Sequence, residues 1–454
     1  MEQYPDAELA ARNLLYNRQE LGAKLGIEAS VHTPPASHYP HIYLWDSCFA
    51  AIINARAGEK WHPAAQNELL AVLAGQRADG FIPNMQFAER GRELDPERWV
   101  AFGKSADGSN YTQPPVLALA VTETYEASRE HDPLGAAAFL HAAYPKLQKY
   151  YTYLERERSN SSEDALIGVI HPHETGRDSD PTFDFMKPRR LKRDGIETPG
   201  FIDKANTVID YLSIIAHGVR LRRAGGDSAQ VREIMWINDV MMNCMYADNL
   251  YQMSGLAAAA KDEEGHRHFL NLARTVEQQI IEDMWLPDAR GGKGAFYALN
   301  ENGDPITETS ISSLFPLALP NIKENQLGSV LDLMDTAFDT PYPLPTVAID
   351  SPNYDPHNRE SDRLWRGSTW INTNWYIVER GIKAQLQRPD LAQHPDLRPR
   401  LLDWEAKIIN SSRELLARNG SREHYNPITG EGQRRRVKNF AWSNLGYVIL
   451  SRGE

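Results

Sequence analysis

Apolar residues return every three or four positions through most of this 454-residue chain, and that spacing commits it to helices. Leu140, Tyr144, Leu147, Tyr151 and Leu154 share one helix face, by steps of four, three, four and three. Val208, Tyr211, Leu212, Ile215 and Val219 make a second face, and Met241, Met245, Met253 and Leu256 a third. Comparable segments fall near residues 6–22, 46–57, 63–76, 114–128, 265–284, 309–318, 323–337, 370–386, 400–418 and 440–452. About a dozen helices with few convincing strands predict an all-α fold of helix packed on helix. No fixed-period repeat is visible, which disfavours a consensus array and leaves a closed ring of divergent helical hairpins open. The length exceeds the usual size of one core, but such a ring holds this many residues as a unit, so a single domain over 1–454 is expected.

The net charge of −12 disfavours nucleic acid and anionic membranes as partners, because binding phosphate needs clustered Lys and Arg. A small, neutral ligand fits better. Only Cys48 and Cys244 are present, so a disulfide framework is excluded and a reducing compartment, the cytoplasm, is expected. The first residues lack a basic-then-apolar leader, and no run approaches 18 apolar residues. Phosphate-loop, GxGxxG, GxSxG and CxxC patterns are missing, which removes support for nucleotide, dinucleotide, serine-hydrolase and thiol-redox chemistry.

Breaks between the helices are long near 77–112, 159–204, 285–308, 338–369 and 419–439, and loops beyond about 12–15 residues in compact domains usually carry function. In 39-YPHIYLWDSCFAAI-52, Asp46 fits an N-cap; alternatively Tyr39, Tyr43 and Trp45 form a platform for a sugar ring whose hydroxyls Asp46 accepts from. Gln113, ahead of Pro114 and Pro115, either caps a helix or turns its amide to a ligand. In 364-LWRGSTWINTNW-375, Gly367 permits close backbone approach, and Arg366 among indoles needs a carboxylate partner, which makes it a candidate for orienting an acid or a sugar hydroxyl. The basic run Lys187, Arg189, Arg190, Lys192, Arg193 reads as a solvated loop able to hold one small carboxylate.

Two acidic clusters stand in such breaks. In 171-HPHETGRDSDP-181, Glu174, Asp178 and Asp180 lie across a glycine turn; in 423-EHYNPITG-430, Glu423 and Tyr425 precede another, and Trp442 opens the last helix. A metal held by His171, His173, Glu174 and Asp178 is the competing idea, but HExxH-type spacing is missing and neither metal nor cofactor is expected. Paired carboxylates suit glycoside hydrolysis, where one acid protonates the leaving oxygen and a second carboxylate works on the other face of the sugar.

Taken in order, YLWDSCF, DGFIPN, TQPP, HPHETGRDSDP, WRGSTWINTNW and EHYNPITG resemble glycoside hydrolase family 63 and its relatives, among them hydrolases of mannosylglycerate and glucosylglycerate, over roughly residues 39–445. The resemblance implies an (α/α)6 toroidal barrel, with a loop or lid insertion at about 179–204 and inverting hydrolysis of α-linked sugars at one end. It implies Asp178 as general acid and Glu423 as general base, with Tyr39, Trp45, Asp46, Gln113, Trp365, Arg366 and Trp370 around the glycone. Tyr43, Glu174, Gly367, Tyr425 and Trp442 of the same motifs complete the candidate substrate-binding set. Departures from the family pattern are His173 where an aromatic residue often precedes the glutamate, Ser179 and Asp180 instead of Asn-Ser, and Ser368 instead of Pro. Asp180 stands where it could perturb the acid or compete for its role. On this reading a low-dielectric pocket keeps Asp178 protonated, Glu423 deprotonates a water, and the carboxyl groups stand about 6.5–9.5 Å apart. The expected partner is a small carbohydrate, gluco or manno, with a homo-oligomer compatible; a sugar epimerase or isomerase on a similar barrel and a non-catalytic sugar-binding protein are the alternatives.

Overall fold

The computed structural model describes residues 5–25, 39, 41–87, 108–161, 163–186, 212–213, 216–221, 223–224, 228–357, 364–433 and 439–449. The basic run Lys187–Arg193, most of the 179–204 insertion and most of the helix face at 208–219 lie outside them.

Helical elements alternate between an outer and an inner ring. The outer helices are Pro5–Leu25, His62–Ala74, Pro133–Arg158, Glu263–Asp283, Glu324–Ala337 and Leu397–Asn419. The inner elements are Leu44–Arg56, Leu117–Arg129, Val240–Ala259, the 3-10 segment Ile311–Ala318, Ile371–Tyr376 running through a π turn into Lys383–Leu386, and Ala441–Asn444 with Leu445–Val448. Each inner element packs on the next, and the last closes back on Leu44–Arg56, so the ring is the expected (α/α)6 barrel. Among the described residues no helix is long and apolar enough to cross a membrane.

Sequence decides which ring a helix joins. Every residue from Leu44 to Ala55 is buried, as an element surrounded on all sides must be. Val240–Ala259 likewise has no polar face, and its buried amides stitch it to neighbours: Asn243 exchanges hydrogen bonds with the Ile167 backbone (2.7 and 3.0 Å), and Asn249 accepts from Leu119 N at 2.8 Å. Glu263–Asp283, by contrast, buries only a stripe of Gly265, Phe269, Ala273, Val276, Glu277, Ile280 and Ile281, and meets water with the rest. Each large aliphatic or aromatic side chain so buried stabilises by about 1.5–3 kcal/mol. Ile311–Ala318 is apolar as its sequence suggests but winds as 3-10; Pro316 has no N–H to offer an α-helical ladder.

Inner helices lead to outer ones through short turns such as 130–132 and 260–262, where Asp132 and Asp262 cap the next helix by accepting from Gly135 N and Gly265 N, both at 2.9 Å. Outer helices return to inner ones through the long connections, which therefore gather at the N-terminal ends of the inner helices. Single β-bridges tie these loops in sequence: Val169 to Ile237, Asn238 to Leu299, Ser310 to Val347, Pro345 to Thr369, and Thr369 to Tyr425. That end of the barrel carries both acidic clusters.

Candidate active site

The loop after Leu397–Asn419 is built to present Glu423. Tyr425 pairs with Thr369, and its hydroxyl accepts from Arg422 N (2.9 Å) and donates to Gly420 O (2.8 Å), closing the loop on itself. Asn426 accepts from Ile428 N and Thr429 N, fixing the following turn. Between these anchors Glu423 is 3% exposed. Tyr39 donates its hydroxyl to Glu423 Oε1 at 2.8 Å, and Trp442 donates Nε1 to the Glu423 carbonyl at 3.4 Å. Tyr43 packs edge-on against Tyr39, with ring centroids 5.9 Å apart.

In the other loop, neighbouring acids have unlike partners. Glu174 accepts from Arg158 at 2.6 and 2.9 Å, from Thr112 N at 3.0 Å and from Ile170 N at 2.9 Å, so both oxygens are saturated by the frame. Asp180 pairs with the buried Arg177, which also pairs with Asp239 and reaches Ser310 Oγ and Ser312 Oγ at 3.2 and 3.4 Å. Asp239 and Ser310 cap the inner elements Val240–Ala259 and Ile311–Ala318. Asp180 thereby ties the loop to the barrel through Arg177. Asp178 itself is 45% exposed, with His173 Nδ1 3.3 Å from its Oδ1. The low-dielectric pocket expected around it is not formed by the described residues.

A tryptophan cluster joins the two loops. Gly176 turns with φ +66°, and a Cβ there would fall 2.3 Å from the Trp45 indole, so only glycine lets the acidic loop lie on that ring. Trp45 meets Trp442 (centroids 5.4 Å) and Trp365 (6.3 Å); Trp365 stacks on Trp370 at 3.9 Å, and Trp370 on His424 at 4.8 Å. Trp365 N donates to Ser179 Oγ at 3.2 Å, beside Asp178. Gly367, at φ +140°, lies where a Cβ would sit 2.9 Å from the Tyr354 ring. Arg366 is buried and pairs with Asp184, while its Nε and Nη1 have no partner among the described residues.

The helix holding Trp45 starts at Leu44, three residues earlier than an Asp46 N-cap requires, so Asp46 sits inside the first turn, favoured there by the helix dipole. The cap comes from Gln113, whose side-chain oxygen accepts from Trp45 N at 3.1 Å. Arg158, Arg177, Asp184 and Tyr111 were not singled out by sequence. Tyr111 stacks on His171 (4.2 Å, 2°), and burial, then Asp178 and Glu174, pushes its phenol well above the usual range. Among the described residues no group of three or more His, Cys, Asp or Glu is arranged to hold a metal.

A family model of the mannosylglycerate hydrolase MGH1-like glycoside hydrolase domain matches residues 39–443. A mannosylglycerate hydrolase of Thermus thermophilus is 25% identical over 444 residues, 90% of this chain and 94% of its own. The glucosylglycerate hydrolase of Mycolicibacterium hassiacum is 33% identical over 425 residues, 87% of this chain and 88% of its own. A crystal structure of a family 63 mannosylglycerate hydrolase, also from Thermus thermophilus and in complex with Tris and D-glycerate, superposes with a TM-score of 0.76 at 23% identity, covering 98% of this chain and 99% of that one. The tryptophan-lined barrel mouth and its two acidic loops thus have a family: the chain belongs to the MGH1-like glycoside hydrolases.

Proposed function

We propose that this protein is an inverting α-glycosidase acting on a small α-linked glucoside or mannoside, with glucosylglycerate and mannosylglycerate as the first compounds to test. The names of its relatives support that substrate class. Asp178 protonates the glycosidic oxygen as the bond to the anomeric carbon breaks and its electron pair stays with that oxygen; Glu423 takes a proton from water attacking the opposite face. The observation that carries this reading is the unlike setting of the two carboxylates. Glu423 is enclosed and aimed by Tyr39, as suits a base that must orient one water, whereas Asp178 is left accessible to a leaving group. Trp45, Trp365, Trp370 and Trp442 supply apolar faces for the sugar, and Arg366 offers buried N–H groups to its hydroxyls. The chain works as one catalytic unit, and Asp184, in the described part of the expected insertion, reaches Arg366 at its mouth.

Proton NMR of the sugar first released from each α-glycoside tests this. The β-anomer is expected. Initial α-anomer rejects inversion, and no release from any α-glucoside or α-mannoside rejects the assigned activity.

A further inference from the structure

His173 has no part in the scheme above, yet it is the side chain nearest the acid. Its Nδ1 lies 3.3 Å from Asp178 Oδ1, and the ring is only 13% exposed. The backbone supports that placement: His173 N donates to His171 Nδ1 at 3.2 Å, and the two rings lie 4.9 Å apart. His171 is in turn stacked on Tyr111 and stands 5.4 Å from His217. The Asp178 side chain is 45% exposed, so burial does not enclose it. An imidazole beside it changes which proton matters.

Resting on the reading of Asp178 as general acid, we propose that His173 is its positioning residue, and that the two titrate as one pair whose last proton sets the upper pH edge of activity. In the active form the pair holds a single titrating proton, shared between the ring and Asp178, and the reacting tautomer carries it on Asp178. Neutral His173 donates Nδ1–H to Oδ1, which places the acid's proton on Oδ2. That proton passes to the glycosidic oxygen, the electron pair of the breaking C–O bond stays with the leaving oxygen, and Asp178 is left as a carboxylate still held by Nδ1–H. The last proton of a coupled imidazole–carboxylate pair leaves at or above the imidazole value of about 6.5, not in the carboxylate range.

The groups around His173 make it the one to titrate. His217 donates Nε2–H to Ile170 O (2.7 Å), and burial, opposed by that bond, pushes it below the usual imidazole range. His171 uses Nδ1 as an acceptor, so its neutral tautomer carries hydrogen on Nε2. Tyr111 is neutral, Glu174 is balanced by Arg158, and Arg177 by Asp180 and Asp239; Arg220 stands beyond His217. Asp178 is the carboxylate that stands 3.3 Å from His173.

The test pairs a pH–rate profile with NMR of the intact protein. His173→Asn keeps an N–H donor but cannot titrate, and His173→Phe removes both. Each is expected to move the upper edge of kcat/KM down by at least one pH unit, with Asn retaining more of the low-pH rate than Phe. An unmoved edge in a folded Asn variant overturns the proposal while hydrolysis stands. Independently of activity, Asp178→Asn should lower the pH at which the His173 ring titrates by NMR; an unchanged midpoint also overturns it. Should no glycoside be cleaved, the NMR shift still reports the pair, so that failure belongs to the proposed function alone.

Discussion

Toward the C-terminal ends of the inner helices, Arg56 meets Glu123 at 3.1 Å and Glu379 at 3.0 Å, Lys383 meets Glu379 at 2.6 Å, and Arg380 meets Asp248 at 2.6 Å. Tyr376 completes the group by donating to Asp248 at 2.7 Å. Burial would drive the charge off Arg56, but Glu123 and Glu379 outweigh it. At the loop end, Arg366 is buried with two nitrogen positions unpartnered among the described residues, and Asp178 stands half in solvent beside one imidazole. Both ends hold charge at low exposure. One end cancels it within the protein, and the other leaves room for something else to do so. Short turns suffice for the first; long loops tied by single bridges build the second.

The largest effect should come from removing the carboxylates of the open end. Asp178→Asn and Glu423→Gln are each expected to lower turnover by about 10²–10⁴-fold. Unfolding free energy should change by no more than about 1 kcal/mol. Steady-state kinetics on a cleaved glycoside beside urea unfolding measure both; full activity in either variant would remove its residue from the mechanism. Arg177→Met attacks a network of the loop end that is paired within the protein, as those of the far end are. It leaves Asp180 and Asp239 buried without their cation, at a cost of about 3–5 kcal/mol, and loosens the turn that carries Asp178. A variant that unfolds at the wild-type urea concentration would show that this triad does not anchor the loop.

Tyr39→Phe sharpens the contrast without disturbing either network. It deletes the hydroxyl on Glu423 Oε1 and keeps the ring against Tyr43 and Phe440. A hydrogen bond to a charged group contributes about 1.5–3 kcal/mol, so kcat should fall roughly tenfold to a hundredfold, with stability lost only in part. A kcat within twofold of wild type would mean that Glu423 is oriented by other contacts.

The barrel was legible because two kinds of helix differ in pattern. Phe269, Ala273, Val276 and Ile280 mark a one-sided helix, and the apolar run over residues 48–53 marks a surrounded one. Motif order likewise identified the loops. The fates of Glu174, Asp178 and Asp180 were not legible, since three acids in seven positions look alike until Arg158 arrives to hold Glu174 and Asp239 to hold Arg177, the partner of Asp180. The start of the helix at Leu44 was hidden for the same reason: its cap is Gln113, 68 positions away, so Asp46 looked like the cap. Local rules read what neighbours in sequence decide, and partners brought by the ring decide the rest.

The smallest expected effect lies at the closed end. Glu123→Gln removes one of the two carboxylates on Arg56 and leaves Glu379, so the cation keeps a partner and the loss should be about 1–2 kcal/mol at neutral pH, less than for a wholly orphaned charge. Turnover should be unchanged. Burial raises the Glu123 carboxyl, but Arg56 outweighs it and the net value lies below the usual 4.5. Because the folded state binds this proton less readily than the unfolded chain, the pair stabilises fully above the ordinary value and loses that contribution as pH falls through the folded one. The stability difference between wild type and variant should therefore be constant from pH 7 to about 5 and shrink below about 4.5. A difference that stays constant through that acid range would show that the pair is not protonation-linked, and a fall in kcat would show that the two ends of the barrel are coupled.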